Sequence, residues 1–280
     1  VTGHWEVSSR HPGVVATLAD VWRHRTLLGF IATRALQRRY KRTILGWLWL
    51  FITPLVPLAL RVLIFGVLLG VTSNGIPYFL FLLAGTVAWD LFASCVMAGT
   101  RSLEMNRDLT EQIYYPRAIL PFGNMAVAFF DFFIRVAVFV VALAYYGWRD
   151  GRFYIRSEFE VLWALAALGL ALLCALALSL FTAVWGETAR DTRFALGQLL
   201  AIWYLLTPVL YPMSLVPEEH RRWMLLNPMA IVVETFKWAL FGVGEFQPDA
   251  FAGTAAAIGA LFLAGLIYFT HAEAKAIEER

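Results

Sequence analysis

Val161-Leu-Trp-Ala-Leu-Ala-Ala-Leu-Gly-Leu-Ala-Leu-Leu-Cys-Ala-Leu-Ala-Leu-Ser-Leu-Phe-Thr-Ala-Val-Trp185 runs without a charged side chain. A helix needs about 20 apolar residues to cross a hydrocarbon core, and this stretch supplies them. It belongs to a set of six such runs, at about 45–71, 77–99, 118–147, 159–185, 194–213 and 250–270. Lipid leaves no water for unpaired backbone groups, and the Leu/Ala/Phe-rich runs lack the two-residue alternation of a barrel, so the spans are read as helices. The expected fold is an all-α integral membrane protein with six transmembrane helices. Composition agrees: 60% of residues are hydrophobic and 15% charged, outside the balance of a soluble domain.

The net charge of +3 is less informative than its distribution. With the N-terminus placed in the cytoplasm, the inside segments (1–43, 100–118, 186–193 and 271–280) carry 15 Lys and Arg and the outside segments (72–76, 148–158 and 214–249) carry 6. The other two, Arg61 and Arg135, lie within spans. The bias puts both termini in the cytoplasm. No uninterrupted apolar core with a small-residue cleavage site occurs in residues 1–43, so they do not read as a secretory signal. Instead Leu28, Ile31, Ala32, Ala35 and Leu36 fall on one helical face, with Arg34, Arg38 and Lys41 mostly on the other and Arg39 and Arg42 continuing the basic cluster. That pattern predicts an interfacial amphipathic helix on the inner leaflet, with a plain positive-inside signal as the alternative. Cys95 and Cys174 both fall inside apolar runs and read as small packing residues.

The connections differ in length. Arg101-Ser-Leu-Glu-Met-Asn-Arg-Asp-Leu-Thr-Glu-Gln-Ile-Tyr-Tyr-Pro-Arg117 is a charged cytoplasmic segment long enough for a short helix ended by Pro116. It suits docking onto a soluble partner, or it is a solvated turn. The external segment 214–249 is amphiphilic, interrupted by Pro228, with Glu234 and Lys237 breaking its apolar run. Two short helices dipping into the outer leaflet fit it better than a seventh span, whether as a gate or as an interfacial cap.

Charges inside spans are costly and ask for partners. Arg61 lies about 10 residues, ~15 Å, inside the outer end of the first span, and Asp90 about 13 residues, ~20 Å, inside the second, so similar depth predicts an Arg61–Asp90 pair. Asp131 and Arg135, four apart, can neutralise each other on one helical face. The functional alternative puts Arg61 or Arg135 beside a pathway where they attract a diphosphate. Aromatic residues make up 15% of the chain; Trp89, Phe92 and Tyr204 are the candidates for a surface on which the apolar faces of sugars stack. Pro54, Pro57, Pro208 and Pro212 are expected to kink or end their helices.

Arg39-Tyr-Lys-Arg-Thr-Ile-Leu-Gly-Trp-Leu-Trp-Leu-Phe-Ile-Thr-Pro54 resembles the entry to the first span in membrane subunits of ABC transporters that export bacterial polysaccharides (O-antigen, capsule, teichoic acid; the ABC type-2 membrane domain). Three matches follow in order: Asn106 with Tyr115-Pro-Arg-Ala-Ile-Leu-Pro121; Arg190-Asp191; and Thr207-Pro-Val-Leu-Tyr-Pro212 continuing through Val216-Pro217 to Leu226-Asn-Pro-Met229. The resemblance covers roughly residues 20–270. It implies an interface helix within a cytoplasmic N-terminus (1–43), a transmembrane domain (44–270) with a coupling helix near 101–116 and re-entrant external helices near 216–245, and a cytoplasmic tail (271–280). It further implies a homodimer in the bacterial plasma membrane, paired with a separate nucleotide-binding ABC ATPase subunit, moving a polyprenyl-diphosphate-linked glycan outward, with membrane lipids and no nucleic acid as other partners. ATP and magnesium belong on the ATPase subunit. Lys41, Lys237 and Lys275 are the lysines and none follows a glycine, so this chain has no Gly-Lys of a Walker A loop.

In that frame Glu104, Arg107, Asp108 and Glu111 are expected to contact the ATPase, and Tyr115-Pro116 to join the coupling helix to the third span. The substrate-pathway candidates are Arg38, Arg39, Arg42, Arg61, Trp89, Phe92, Arg117, Arg135 and Tyr204, with Arg117 either a structural anchor or a substrate contact. No catalytic or metal-binding residues are expected. A membrane enzyme acting on polyprenyl-linked sugars calls for clustered acids or histidines, whereas the seven Asp residues are dispersed and the histidines are His4, His11, His24, His220 and His271. An ABC exporter of another lipid or a drug is the nearer alternative.

Overall fold

The computed structural model describes residues 22–40, 48–106, 117–156, 159–189, 191–244 and 246–278. Among these, every regular element is a helix: α1 (Arg25–Tyr40), α2 (Trp49–Arg61) running into a π-helical stretch (Val62–Leu68), α3 (Tyr78–Thr100), α4 (Ser102–Met105), α5 (Ile119–Asn124), α6 (Ala126–Asp150), α7 (Val161–Thr188), α8 (Asp191–Leu205), α9 (Glu218–Leu225), α10 (Pro228–Phe241) and α11 (Pro248–Glu278). Five stretches are long and apolar enough to cross a membrane: Phe51–Leu68, Tyr78–Thr100, Ile119–Asp150, Val161–Thr188 and Pro248–Ala272. The pair α9–α10, bent by 102°, makes a sixth if counted as one broken span.

The run 194–213 differs from its expected form. Its helix, α8, stops at Leu205 after 15 residues, about 22 Å of rise against a core of about 30 Å. Pro208 explains the stop: a proline cannot donate to the carbonyl four residues back, and it biases Thr207 away from helical geometry. The chain finishes the traverse without regular structure, and α10 packs beside it.

The core centres on α3, which packs against α7, α6 and α10, while α7 also packs on α11 and α10. Between apolar helices in lipid, close van der Waals fit and hydrogen bonds replace the hydrophobic drive, so small residues mark the crossings. Thr100 and Thr182 share a hydroxyl–hydroxyl hydrogen bond of 2.6 Å across α3 and α7. One turn further, a Cβ on Gly186 would lie 2.9 Å from the Thr100 carbonyl oxygen, a backbone atom that cannot swing away. Gly186→Ala is therefore expected to destabilise the α3–α7 pair by about 1–3 kcal/mol, read as a lower midpoint of thermal inactivation; an unchanged midpoint would contradict this close crossing. Cys95 and Cys174 sit in this core, 0% and 1% exposed.

At the end of the bundle next to α1 a second apolar cluster joins Ile31, Leu103, Ala118, Ile119, Leu120, Leu180, Ala183, Leu266 and Phe269. The predicted apolar stripe of α1 enters it: Ile31 and Ala35 are buried and Leu28 is partly so. Gly123 on α5 permits the approach, since a Cβ there would meet Ile31 Cγ2 at 2.7 Å. The stripe is thus turned to protein at Ile31 and Ala35, while Trp22 and Phe30 remain outward.

Candidate translocation site

Where α8 breaks, the backbone must still be satisfied, because an orphaned carbonyl in a dry interior costs several kcal/mol. Three alternate carbonyls of the broken segment are each met by a side chain from elsewhere. Asn227 Nδ2 donates to Leu206 O at 3.1 Å, Lys237 Nζ to Pro208 O at 2.5 Å, and the Tyr78 hydroxyl to Leu210 O at 2.7 Å. Asn227 also donates to Thr207 Oγ1 at 3.1 Å, accepts from Trp203 Nε1 at 2.7 Å and caps α10 by accepting from the Met229 amide at 3.1 Å. Pro228 at the first helical position of α10 loses nothing by lacking an N–H. The Thr207–Pro212 and Leu226–Met229 stretches are thus two halves of one polar joint.

Glu234 and Lys237, which interrupt the apolar run, are both enclosed within α10. They lie three apart on the helix with Lys237 Nζ 2.9 Å from Glu234 Oε1, and the lysine is 1% exposed. Its ammonium also lies 4.0 Å from the centroid of the Phe81 ring on α3. Gly244, at φ +96°, lets the chain pass close to the carboxylate: a Cβ there would sit 2.8 Å from Glu234 Oε2.

A second charged group lies where α2, α3, α6 and α8 meet. Arg135 Nε is 3.0 Å from Asp90 Oδ2, and the Arg61 guanidinium stacks over the Tyr204 ring at 4.5 Å. The expected Arg61–Asp90 pair is therefore corrected. Arg135, across the α3–α6 contact, takes the carboxylate, and Arg61 is directed to an aromatic face. A cation–π contact lets an arginine remain charged without a carboxylate of its own.

Trp89, Phe92 and Tyr204 are drawn together, but not as an open surface. They are 3%, 0% and 7% exposed and pack edge to face with Trp203, at centroid distances of 5.4 Å (Trp89–Phe92), 5.5 Å (Trp89–Tyr204), 6.1 Å (Trp89–Trp203) and 5.2 Å (Phe92–Trp203). In this structure the three rings meet one another and Trp203 in place of lining an open surface.

Beside this cluster, a cavity of about 530 Å³ opens between α2, α3 and α6, lined among others by Thr53, Ser94, Arg101, Asn124, Asp131 and Arg135. Further along α6 follows an apolar groove of about 610 Å³ with Phe51, Phe79, Val138 and Tyr145 on its walls. One stripe of α6 thus passes from a charged recess to a hydrocarbon-like one.

At the α1 end of the bundle, Arg117 is 9% exposed with Glu187 Oε1 3.9 Å from its Nη1, and Arg193 Nη1 is 2.6 Å from Glu104 Oε2. Asn106 closes α4, its Nδ2 donating to Ser102 O at 2.9 Å and to Asn124 Oδ1 at 3.4 Å.

Residues 26–241 match the ABC-2 type transporter family. The chain belongs to that family. It is 28% identical to the O-antigen export system permease protein RfbA of Myxococcus xanthus over 227 residues, 80% of this chain and 84% of that protein. It is 24% identical to RfbA of Klebsiella pneumoniae over 212 residues, 75% of this chain and 78% of the other. Polysialic acid transport protein KpsM of Escherichia coli is 26% identical over 208 residues, 74% and 78% of the two chains.

This ABC-2 transporter is a multi-pass membrane protein. Of the expected coupling residues, Glu104 lies in α4 at the start of the segment, while Arg107, Asp108, Glu111, Tyr115 and Pro116 lie outside the described residues, as does Arg42. Arg38 and Arg39 occupy the last turn of α1, where only the backbone is described. Sequence reasoning passed over Arg193, Glu187 and Asn227 as individuals. Asn227 had a signal: Asn before Pro at a helix start is a capping pattern.

Proposed function

We propose that this chain is the channel-forming membrane subunit of an ATP-driven exporter of polyprenyl-diphosphate-linked polysaccharide, an O-antigen-type glycan. It works as a homodimer in the bacterial plasma membrane with both termini in the cytoplasm. ATP and magnesium are held by two copies of a separate nucleotide-binding subunit that docks on the segment between Asn106 and Arg117. The observation that carries the reading is the charged recess that opens among the spans and reaches the end of α3: Arg101 and Arg135 line it with Asp131, and Arg61 stands nearby over Tyr204. Guanidinium groups are strong partners for a diphosphate, and the adjoining apolar groove suits an isoprenoid chain. The names of the relatives, O-antigen export permease and polysialic acid transport protein, point to the same class of cargo. The homodimer is supported by the span Phe51–Leu68, of which 6% is buried within one chain against 78% for α3. A span so little covered has room for a second copy.

The test is co-purification of the tagged chain with the nucleotide-binding protein encoded beside it, followed by ATP hydrolysis in lipid. The expected result is a two-plus-two complex whose hydrolysis is weakened by Arg107→Ala and Asp108→Ala. A chain that captures no ATPase sinks the assignment; a complex that exports a drug or a free lipid in place of a glycan moves it to the alternative cargo.

A further inference from the structure

α8 is held at its two ends. Of its residues only Leu200 and Tyr204 are buried, whereas most of α3 is enclosed. Apolar packing is thin over the first half of α8, before Leu200 and the aromatic contacts of Trp203 and Tyr204, so the polar contact at that end carries much of its attachment there. At the outer end the Trp203 Nε1–Asn227 Oδ1 bond (2.7 Å) and the Asn227 Nδ2–Leu206 O bond (3.1 Å) tie it to the cap of α10. At the inner end, Arg193 in the first turn reaches Glu104 Oε2 at 2.6 Å. Glu104 belongs to α4, whose Leu103 is seated in the second apolar cluster with Ile119 and Leu180. Two residues after Glu104, the segment proposed to meet the ATPase begins, and where it returns, Arg117 stands 3.9 Å from Glu187 at the end of α7. Both ends of that segment are therefore connected to the α7–α8 corner, one by each ion pair.

We infer that the Glu104–Arg193 ion pair is the latch through which the cytoplasmic segment moves α8, and that α8 carries the movement to the α10 cap through Trp203 and Asn227. Glu104 and Arg193 are positioning residues for export, and Glu104 acts within the chain instead of on the ATPase surface. A shift at α4 reaches α8 through one short ionic contact at its first turn; the first half of α8 has few apolar contacts to resist it; and the hydrogen bonds at Asn227 pass it to the helix beside the broken segment. Bistable packed elements amplify small shifts in this way. The inference rests on the reading that the segment meets an ATPase.

The experiment uses the full chain in lipid with Glu104→Arg, Arg193→Glu and the two combined. A spin label at Leu199→Cys, an exposed position on α8, reports its mobility; Cys95 and Cys174 are buried and stay unlabelled. Each single reversal is expected to raise label mobility and, in the complex with the ATPase subunit, to lower glycan exported per ATP hydrolysed by roughly ten-fold, with the double reversal restoring both to within about three-fold. A label indifferent to the single changes, or a double reversal no better than the worse single, overturns the latch. Loss of the ATPase complex in Glu104→Arg alone, unrelieved by Arg193→Glu, returns Glu104 to the ATPase surface and also overturns it. Failure of the proposed function shows instead in the unmutated chain, which then captures no ATPase, while the label still decides whether the two residues hold α8.

Discussion

Lys237→Met is expected to destabilise the protein by about 3–5 kcal/mol, because removing one member of a buried ion pair leaves the other uncompensated. The substitution deletes three contacts at once: the bond to Pro208 O, the pairing with Glu234 and the approach to the Phe81 ring. Glu234→Gln also leaves a buried charge without its counter-ion, but should cost less, since the amide oxygen still accepts from Nζ and Pro208 O keeps its donor. Combining Lys237→Met with Glu234→Leu removes the orphaned charge but not the orphaned carbonyl, so recovery should stop short by about 1–3 kcal/mol, the cost of one unsatisfied buried acceptor. Unfolding midpoints in lipid or detergent give the order. Equal losses for Lys237→Met and Glu234→Gln would show that the lysine does not serve the broken backbone, and that the pair is merely an ion pair.

That order also explains what could and could not be read from the residues. Apolar run length gave the helices, and the i, i+3, i+4 spacing in α1 picked out Ile31 and Ala35, because both depend on local geometry. Depth along a span was legible too: Arg61, Asp90 and Arg135 do gather in one region. Which arginine meets the carboxylate depends on how each helix is rotated about its axis and where neighbours cross, and residue counting carries no such angle. Lys237 was read as a break in an apolar run for a related reason. Its partner is a backbone carbonyl, which every residue possesses and no side-chain pattern reveals. Pro208 was visible as a helix stop, but the need it creates at its own carbonyl appears only when α10 is placed beside it. Trp89, Phe92 and Tyr204 were legible as a group by depth and ring type, while the packing of their faces against one another was not.

The arrangement around Asp90 separates structure from transport. Arg135→Met should cost about 1.5–3 kcal/mol, since it removes the cation 3.0 Å from a partly exposed carboxylate within an apolar span. Arg61→Met leaves that pair intact and forfeits a cation–π contact with Tyr204, worth about 0.5–2 kcal/mol, so the variant should fold and reach the membrane. Its export should nevertheless fall. If Arg61 binds the diphosphate by a charge-assisted hydrogen bond worth about 1.5–3 kcal/mol, capture of the lipid-linked glycan weakens roughly 10- to 100-fold. Arg61→Lys keeps the charge and loses the planar fork, so an intermediate loss is expected. Export by Arg61→Met at the unmutated level, in a folded complex that hydrolyses ATP, would assign Arg61 to holding Tyr204 and α8, leaving Arg101 and Arg135 as the cations of the pathway. A matched fall in stability for Arg61→Met and Arg135→Met would mean that Arg61, whose charge also reaches Asp90, supports the carboxylate as much as the close partner Arg135 does, and would take Arg61 out of the pathway.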